Sequence, residues 1–109
     1  MDKISDQQHL SNMKKSFERI MDVTKGLSLE SFSDDLDKQD IVMFNFVLLS
    51  EEAKKLSEKF KDSNKNIPWI DIYGLRNKIV HDYGSVRLDV VFSTAKEDVP
   101  TIYKQLFKK

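Results

Sequence analysis

The sequence predicts an all-α fold, an up-and-down bundle of four main helices plus one short extra piece. Three observations carry that expectation. Only three glycines and two prolines interrupt 109 residues, so few breaks are available. Apolar residues recur at spacings of three and four through most of the chain, which gives helices one buried stripe each. The single alternating stretch, Val86, Leu88, Val90 and Phe92, has no second one to pair with. Val86, Val90 and Thr94 also fit a helix with Val91 beside them, so helix is expected there too.

In chain order, Ser5 is placed to cap the first helix, with Gln8 completing a capping box. Leu10, Met13, Phe17, Ile20, Met21 and Thr24 form its stripe, and Gly26 ends it. From Leu27 to Asp35 the serine-rich chain reads as a turn with a short helical piece that buries Leu29 and Phe32. The second helix is expected from about Asp34 to Lys61, in two unlike halves. Nearly every residue from Ile41 to Leu49 is apolar, so this half should be covered on all sides. A chain this small struggles to do that alone, and a partner subunit is the expected cover. Beyond Ser50 only Ala53, Leu56 and Phe60 continue the stripe. Asn45 and Glu52 lie within it as expected hydrogen-bonded core residues. Asp62 to Asn66 forms a polar loop. The last helix takes Asp98 as its cap and Pro100 in its first turn, with Val99, Ile102, Tyr103, Leu106 and Phe107 as its stripe.

The bundle is organised around the stretch Pro68 to Gly84. Proline suits a first turn and glycine suits the position just past the end, so one helix of about four turns is expected to stop near Gly84. On a wheel of about 100° per residue, Leu75, Ile79, Ile72 and Tyr83 share one side, widened by Trp69, Val80 and Tyr73. Arg76 falls in the middle of that apolar face. A guanidinium there is costly unless it is paired or held at a water-filled cleft; Asn45 or Glu52 could satisfy it. Asn77 and His81, four apart, line one edge of the face. Lys78, Asp71 and Asp82 take the solvent side.

Composition excludes several function classes. Eighteen basic and eighteen acidic residues balance, so no global field attracts nucleic acid or an anionic membrane, and any anion site must be local. There is no cysteine, hence no disulfide framework or thiolate metal site, which suits the cytoplasm. No apolar run is long enough to span a bilayer, and no signal-peptide pattern opens the chain. A single domain over residues 1–109 is expected. Metal binding is not expected, because only His9 and His81 are present and His9 should be solvated near a chain end. No serine elbow and no phosphate-cradling glycine loop occurs. The polar residues left to weigh are Arg76, Asn77, His81, Asp82 and Tyr83. Each has a structural reading: an internal ion pair for Arg76, a helix-end histidine, a Lys78–Asp82 surface pair, a core Tyr83 with its hydroxyl at the rim.

The string Arg76-Asn77-Lys78-Ile79-Val80-His81-Asp82-Tyr83 resembles the Arg-x4-His signature of the HEPN superfamily and, with Tyr two residues after His, the HepT-like toxins. Pro68-Trp69 and Ile72-Tyr73-Gly74-Leu75 resemble that family's run into its motif. Ser50-Glu51-Glu52-Ala53-Lys54-Lys55-Leu56-Ser57 resembles its Gly-Glu-Ala-Ala-Lys-x-Leu-Ser segment, with Ser50 in place of glycine and Glu52 in place of alanine. Asp98-Val99-Pro100 resembles the opening of its final helix. The resemblance implies a homodimeric, metal-independent endoribonuclease with no cofactor, the toxin of a type VII-like toxin–antitoxin pair. Arg76 and His81 would be catalytic at a dimer cleft, Asn77 would orient phosphate or imidazole, and Asp82 and Glu52 would be supporting residues. Tyr83 would receive AMP from a partner minimal nucleotidyltransferase, which silences the toxin. The alternative is a non-catalytic HEPN module that binds such a nucleotidyltransferase or a nucleotide.

Overall fold

Ser5 opens the first helix as expected. In the computed structural model, which describes residues 5–108, the Ser5 hydroxyl accepts a hydrogen bond from the Gln8 backbone N–H at 3.3 Å. Helix α1 (Asp6–Thr24) buries Met13, Phe17, Ile20 and Thr24. The Thr24 hydroxyl folds back onto the Ile20 carbonyl at 2.8 Å, and Gly26 turns the chain away with a φ of 75°. That left-handed conformation is open to glycine without a Cβ penalty.

Helix α2 (Leu29–Ser33) is the short piece. Phe32 is fully buried against Phe92, but Leu29, expected inside, is exposed. A five-residue helix has room to bury only one face, and Phe32 takes it. Gln39 reaches back to satisfy the Phe32 and Ser33 carbonyls at 2.9 and 3.0 Å.

Helix α3 (Leu36–Lys54) starts on the Asp35 side chain, which accepts from the Lys38 N–H at 3.1 Å. It does not continue to Lys61. The helix ends after Lys54 and a separate turn of helix, α4 (Glu58–Asp62), begins on Ser57. Asp6 fixes that break from the far end of the chain, one carboxylate oxygen accepting the Ser57 N–H at 2.9 Å and the other its hydroxyl at 2.6 Å. Together with the His9–Glu52 contact this sets α1 and α3 antiparallel. Val42, Met43, Phe46, Leu49 and Ala53 are buried, whereas Phe44 stays 61 % exposed and Leu36 72 %. A single copy of the chain therefore does not cover α3 on all sides.

Helix α5 (Trp69–His81) follows Pro68 and ends three residues before Gly84. Asp82 leaves helical geometry (φ −150°, ψ 50°), and Tyr83–Ser85 form one 3-10 turn. Tyr83 is thus off the apolar face it was expected to share, and half exposed; Val80 is also exposed. Ile79 is the buried residue of α5, with Trp69, Ile72, Tyr73 and Leu75 packed at the core's edge.

From Leu88 to Phe107 the chain is helical throughout, as α6 (Leu88–Ser93), a π-helical segment (Thr94–Asp98) and α7 (Val99–Phe107). Asp98 does not cap a new helix: it has helical angles and its side chain makes no capping bond. The reason lies in Pro100, which offers no N–H and whose ring would crowd the carbonyl four residues back in a regular turn. One wider π turn accommodates it without ending the helix. Val91, Ala95, Val99 and Ile102 pack from this run into the common core with Phe17 and Ile20. The architecture is all-α, four long helical runs with two short ones, and no strand occurs among the described residues. No helix among them is long and apolar enough to cross a membrane.

Candidate active site

Helix α5 lies against α3, and two acidic residues of α3 hold the polar groups of the organising stretch. Glu51 takes Arg76: one carboxylate oxygen accepts from Nε at 3.1 Å and from Nη2 at 2.8 Å. Asp40 takes Tyr83, whose hydroxyl donates to Oδ1 at 2.5 Å. Asp40 and Glu51 are eleven residues apart, about three turns, so they project from one face of α3. Residues 76 and 83 meet them in reverse order, as an antiparallel pairing requires.

The misfit of Arg76 is resolved by this pair. Its side chain is only 22 % exposed, against 46 % for Glu51. The pair sits at the water boundary, where the attraction is not offset by full desolvation of both ions. Asn45 and Glu52 are hydrogen-bonded within the bundle as expected, and neither is the partner of Arg76. Asn45 donates to the Ile41 carbonyl at 2.8 Å on its own helix. Asn77 lies alongside, its Oδ1 accepting from Arg76 Nη1 at 3.1 Å. Three of the five guanidinium N–H donors are thereby used, which leaves one on each terminal nitrogen.

His81 is the last residue of α5 and is exposed. It sits one turn beyond Asn77 and on the same edge. No hydrogen bond joins its ring to Arg76 or Asn77 among the described residues. Asp82 caps the helix end and pairs with Lys78 at 3.9 Å across the solvent face. The Tyr83 phenol is pushed above its ordinary pKa, first by its hydrogen bond to Asp40, then by partial burial and the Asp40 charge.

Glu52 faces the other way, towards α1. It accepts from Asn12 at 2.9 Å and meets the His9 ring at 2.5 Å. Burial raises its pKa, but the bonds from His9 and Asn12 outweigh this and hold the carboxyl below the usual range. His9, expected in solvent, is buried at 4 % exposure. The site residues that sequence reasoning missed are Glu51 and Asp40. The signal available for them was their shared face on α3, opposite a stretch that carries Arg76 and, just past its helix, Tyr83.

Comparison with known proteins places the chain in a family. A family model described as "Ribonuclease HepT-like" matches residues 13–108. A Thermococcus cleftensis protein named "Probable ribonuclease HepT" is 30 % identical over 107 residues, covering 98 % of this chain and 96 % of that one. A protein of Caldanaerobacter subterraneus subsp. tengcongensis, named as a candidate RNase, is 26 % identical over 98 residues, 90 % of this chain and 88 % of the relative. Another candidate RNase, from Methanocaldococcus jannaschii, is 25 % identical over 97 residues and covers 89 % of both chains. No solved structure matches the chain. Most of its length fits the family model, with Arg76, Asn77, His81 and Tyr83 inside the matched span, and the chain belongs to the HepT-like ribonuclease family.

Proposed function

We propose that the chain is an endoribonuclease that cleaves RNA without a metal ion, using Arg76, Asn77 and His81. The observation that carries this reading is the state of Arg76, anchored by Glu51 and Asn77 with two N–H donors unspent, five residues before an exposed imidazole. RNA brings its own nucleophile. His81 takes the proton from a 2′-hydroxyl, whose oxygen attacks the adjacent phosphorus. Arg76 donates to the phosphate oxygens as negative charge builds on them. The bond to the 5′-oxygen breaks, that oxygen receives a proton, and a 2′,3′-cyclic phosphate and a 5′-hydroxyl result. Asn77 keeps the guanidinium from swinging away.

The apolar residues left exposed along α3 support a homodimer, in which a second His81 would supply the proton to the leaving oxygen. In this reading the protein is a toxin, and a minimal nucleotidyltransferase silences it by attaching AMP to Tyr83. A half-exposed Tyr83 supports that role, and an anionic adduct two residues from His81 would occupy the place of the RNA. The second reading, a non-catalytic binding module, is favoured by one observation: Glu51 already neutralises Arg76.

The test is cleavage of a defined RNA in the presence of a chelator. The proposal expects products ending in a cyclic phosphate, and no cut where the 2′-hydroxyl at the cleaved position is replaced by hydrogen. Cleavage that stops with the chelator, or that ignores the 2′-deoxy substitution, would remove this chemistry.

A further inference from the structure

A chain of zero net charge needs a local means to hold RNA, and one surface offers it. A groove of about 700 Å³ runs between α1 and α3, and Glu51, the anchor of Arg76, is part of its wall. Lys15 and Arg19 line it from α1, and Lys55 from the end of α3. All three are exposed, and none forms an ion pair among the described residues. The acids that share the groove are already engaged, Glu51 with Arg76 and Glu52 with His9 and Asn12. Arg76 offsets Glu51, so three basic side chains face one remaining carboxylate and the local balance is positive. Lys15 and Arg19 are one turn apart, about 6 Å along the axis, a step that successive phosphates of an extended strand can match. The floor between the two helices is apolar, with Phe44 and Leu48 part of the face proposed to pair two copies, so the basic side chains run along the rim of that seam.

We propose that the basic rim of this groove, beside the seam between two copies, is the track for the single-stranded RNA that flanks the cleaved phosphate, with Lys15, Arg19 and Lys55 neutralising its phosphates. The inference rests on RNA being the substrate. It explains how a chain without a global field gathers a polyanion: a local excess of bases, three against two acids of which Arg76 already holds one, creates the cationic strip.

The experiment uses the full chain carrying His81→Ala, so that bound RNA is not consumed. Binding of a labelled, unstructured oligoribonucleotide is followed by fluorescence anisotropy across a salt series, alone and with Lys15→Ala, Arg19→Ala and Lys55→Ala combined. The combined variant should bind at least about tenfold more weakly near 0.1 M salt. The slope of log affinity against log salt should become shallower by about 2, or 0.7 for each lost phosphate contact on a single strand. Arg19→Ala alone should give about one third of that change, and Lys104→Ala, remote on α7, none. Circular dichroism of each variant shows whether the helices persist, and the single Arg19 change decides the matter if the combined variant is unfolded. An unchanged slope, or displacement of the RNA by polyglutamate at equal charge concentration, overturns the track. If wild type binds RNA in this groove-dependent way but never cuts it, the nuclease reading fails and the track stands. Cleavage with groove-independent affinity is the reverse.

Discussion

Arg76 shows how far a single position can be read from sequence. A cation in the middle of an apolar face announces a partner, and the structure supplies one in Glu51. Choosing between Glu51 and Glu52 was beyond local pattern, because one residue step turns a helical side chain by about 100°. Glu52 is instead claimed by His9, forty-three residues away, a contact that no spacing rule could announce. That pair has a measurable consequence. The Glu52 carboxyl titrates below its ordinary value of 4.5 in the folded chain, so its stabilisation is complete above that value and is lost as the pH falls through the lower, folded one. Denaturant melts should show wild type losing more stability than Glu52→Gln as the pH drops below about 4.5; parallel curves would deny the pair this role. Asp40 makes an equally local prediction. Its hydrogen bond raises the Tyr83 phenol, so Asp40→Asn should bring one phenol back towards its ordinary range in an ultraviolet titration. The shift should vanish in a Tyr83→Phe background, and a shift that persists there belongs to another tyrosine.

Helices were legible where a stripe met a clear stop, and less so where the stop lay in tertiary contacts. α1 has both its serine cap and its glycine end, and both are as expected. α3 carries no glycine or proline at its break, and its charged second half continues a helical stripe on paper. What ends it is Ser57, already a capable cap, held in place by Asp6 from the other end of the chain. Pro100 misled in the opposite direction: it suggested a fresh start, and the backbone answered with one widened turn. Two glycine substitutions separate backbone strain from packing, because a Cβ would meet nothing within 4 Å at either site. Gly26→Ala should destabilise by about 1 kcal/mol, since φ there is positive. Gly74→Ala, inside α5, should stabilise by about 0.5 to 1 kcal/mol. Urea unfolding measures both, and equal signs would contradict the assignment of these backbone conformations.

The four-run bundle was legible from composition and periodicity together, whereas the meeting of α3 with α5 emerges only in the folded chain. Their antiparallel contact turns two scattered acids into a cradle for the Arg76–Tyr83 stretch. Beside it, Leu36, Phe44 and Leu48 of α3 and Val80 of α5 remain exposed, the surface proposed to pair two copies. Phe44→Asp should leave the helices intact, because that ring is 61 % exposed, and should shift the sedimenting species from dimer to monomer. A wild type already monomeric at high concentration would dismiss the pairing. The central claim, that the α5 arginine and histidine cut RNA, is tested most directly by single-turnover cleavage of one RNA by wild type, Arg76→Ala and His81→Ala, each verified as folded. Each substitution should slow the cut by about a hundredfold or more, the range typical of losing an acid–base or charge-stabilising group. Three equal rates would contradict it.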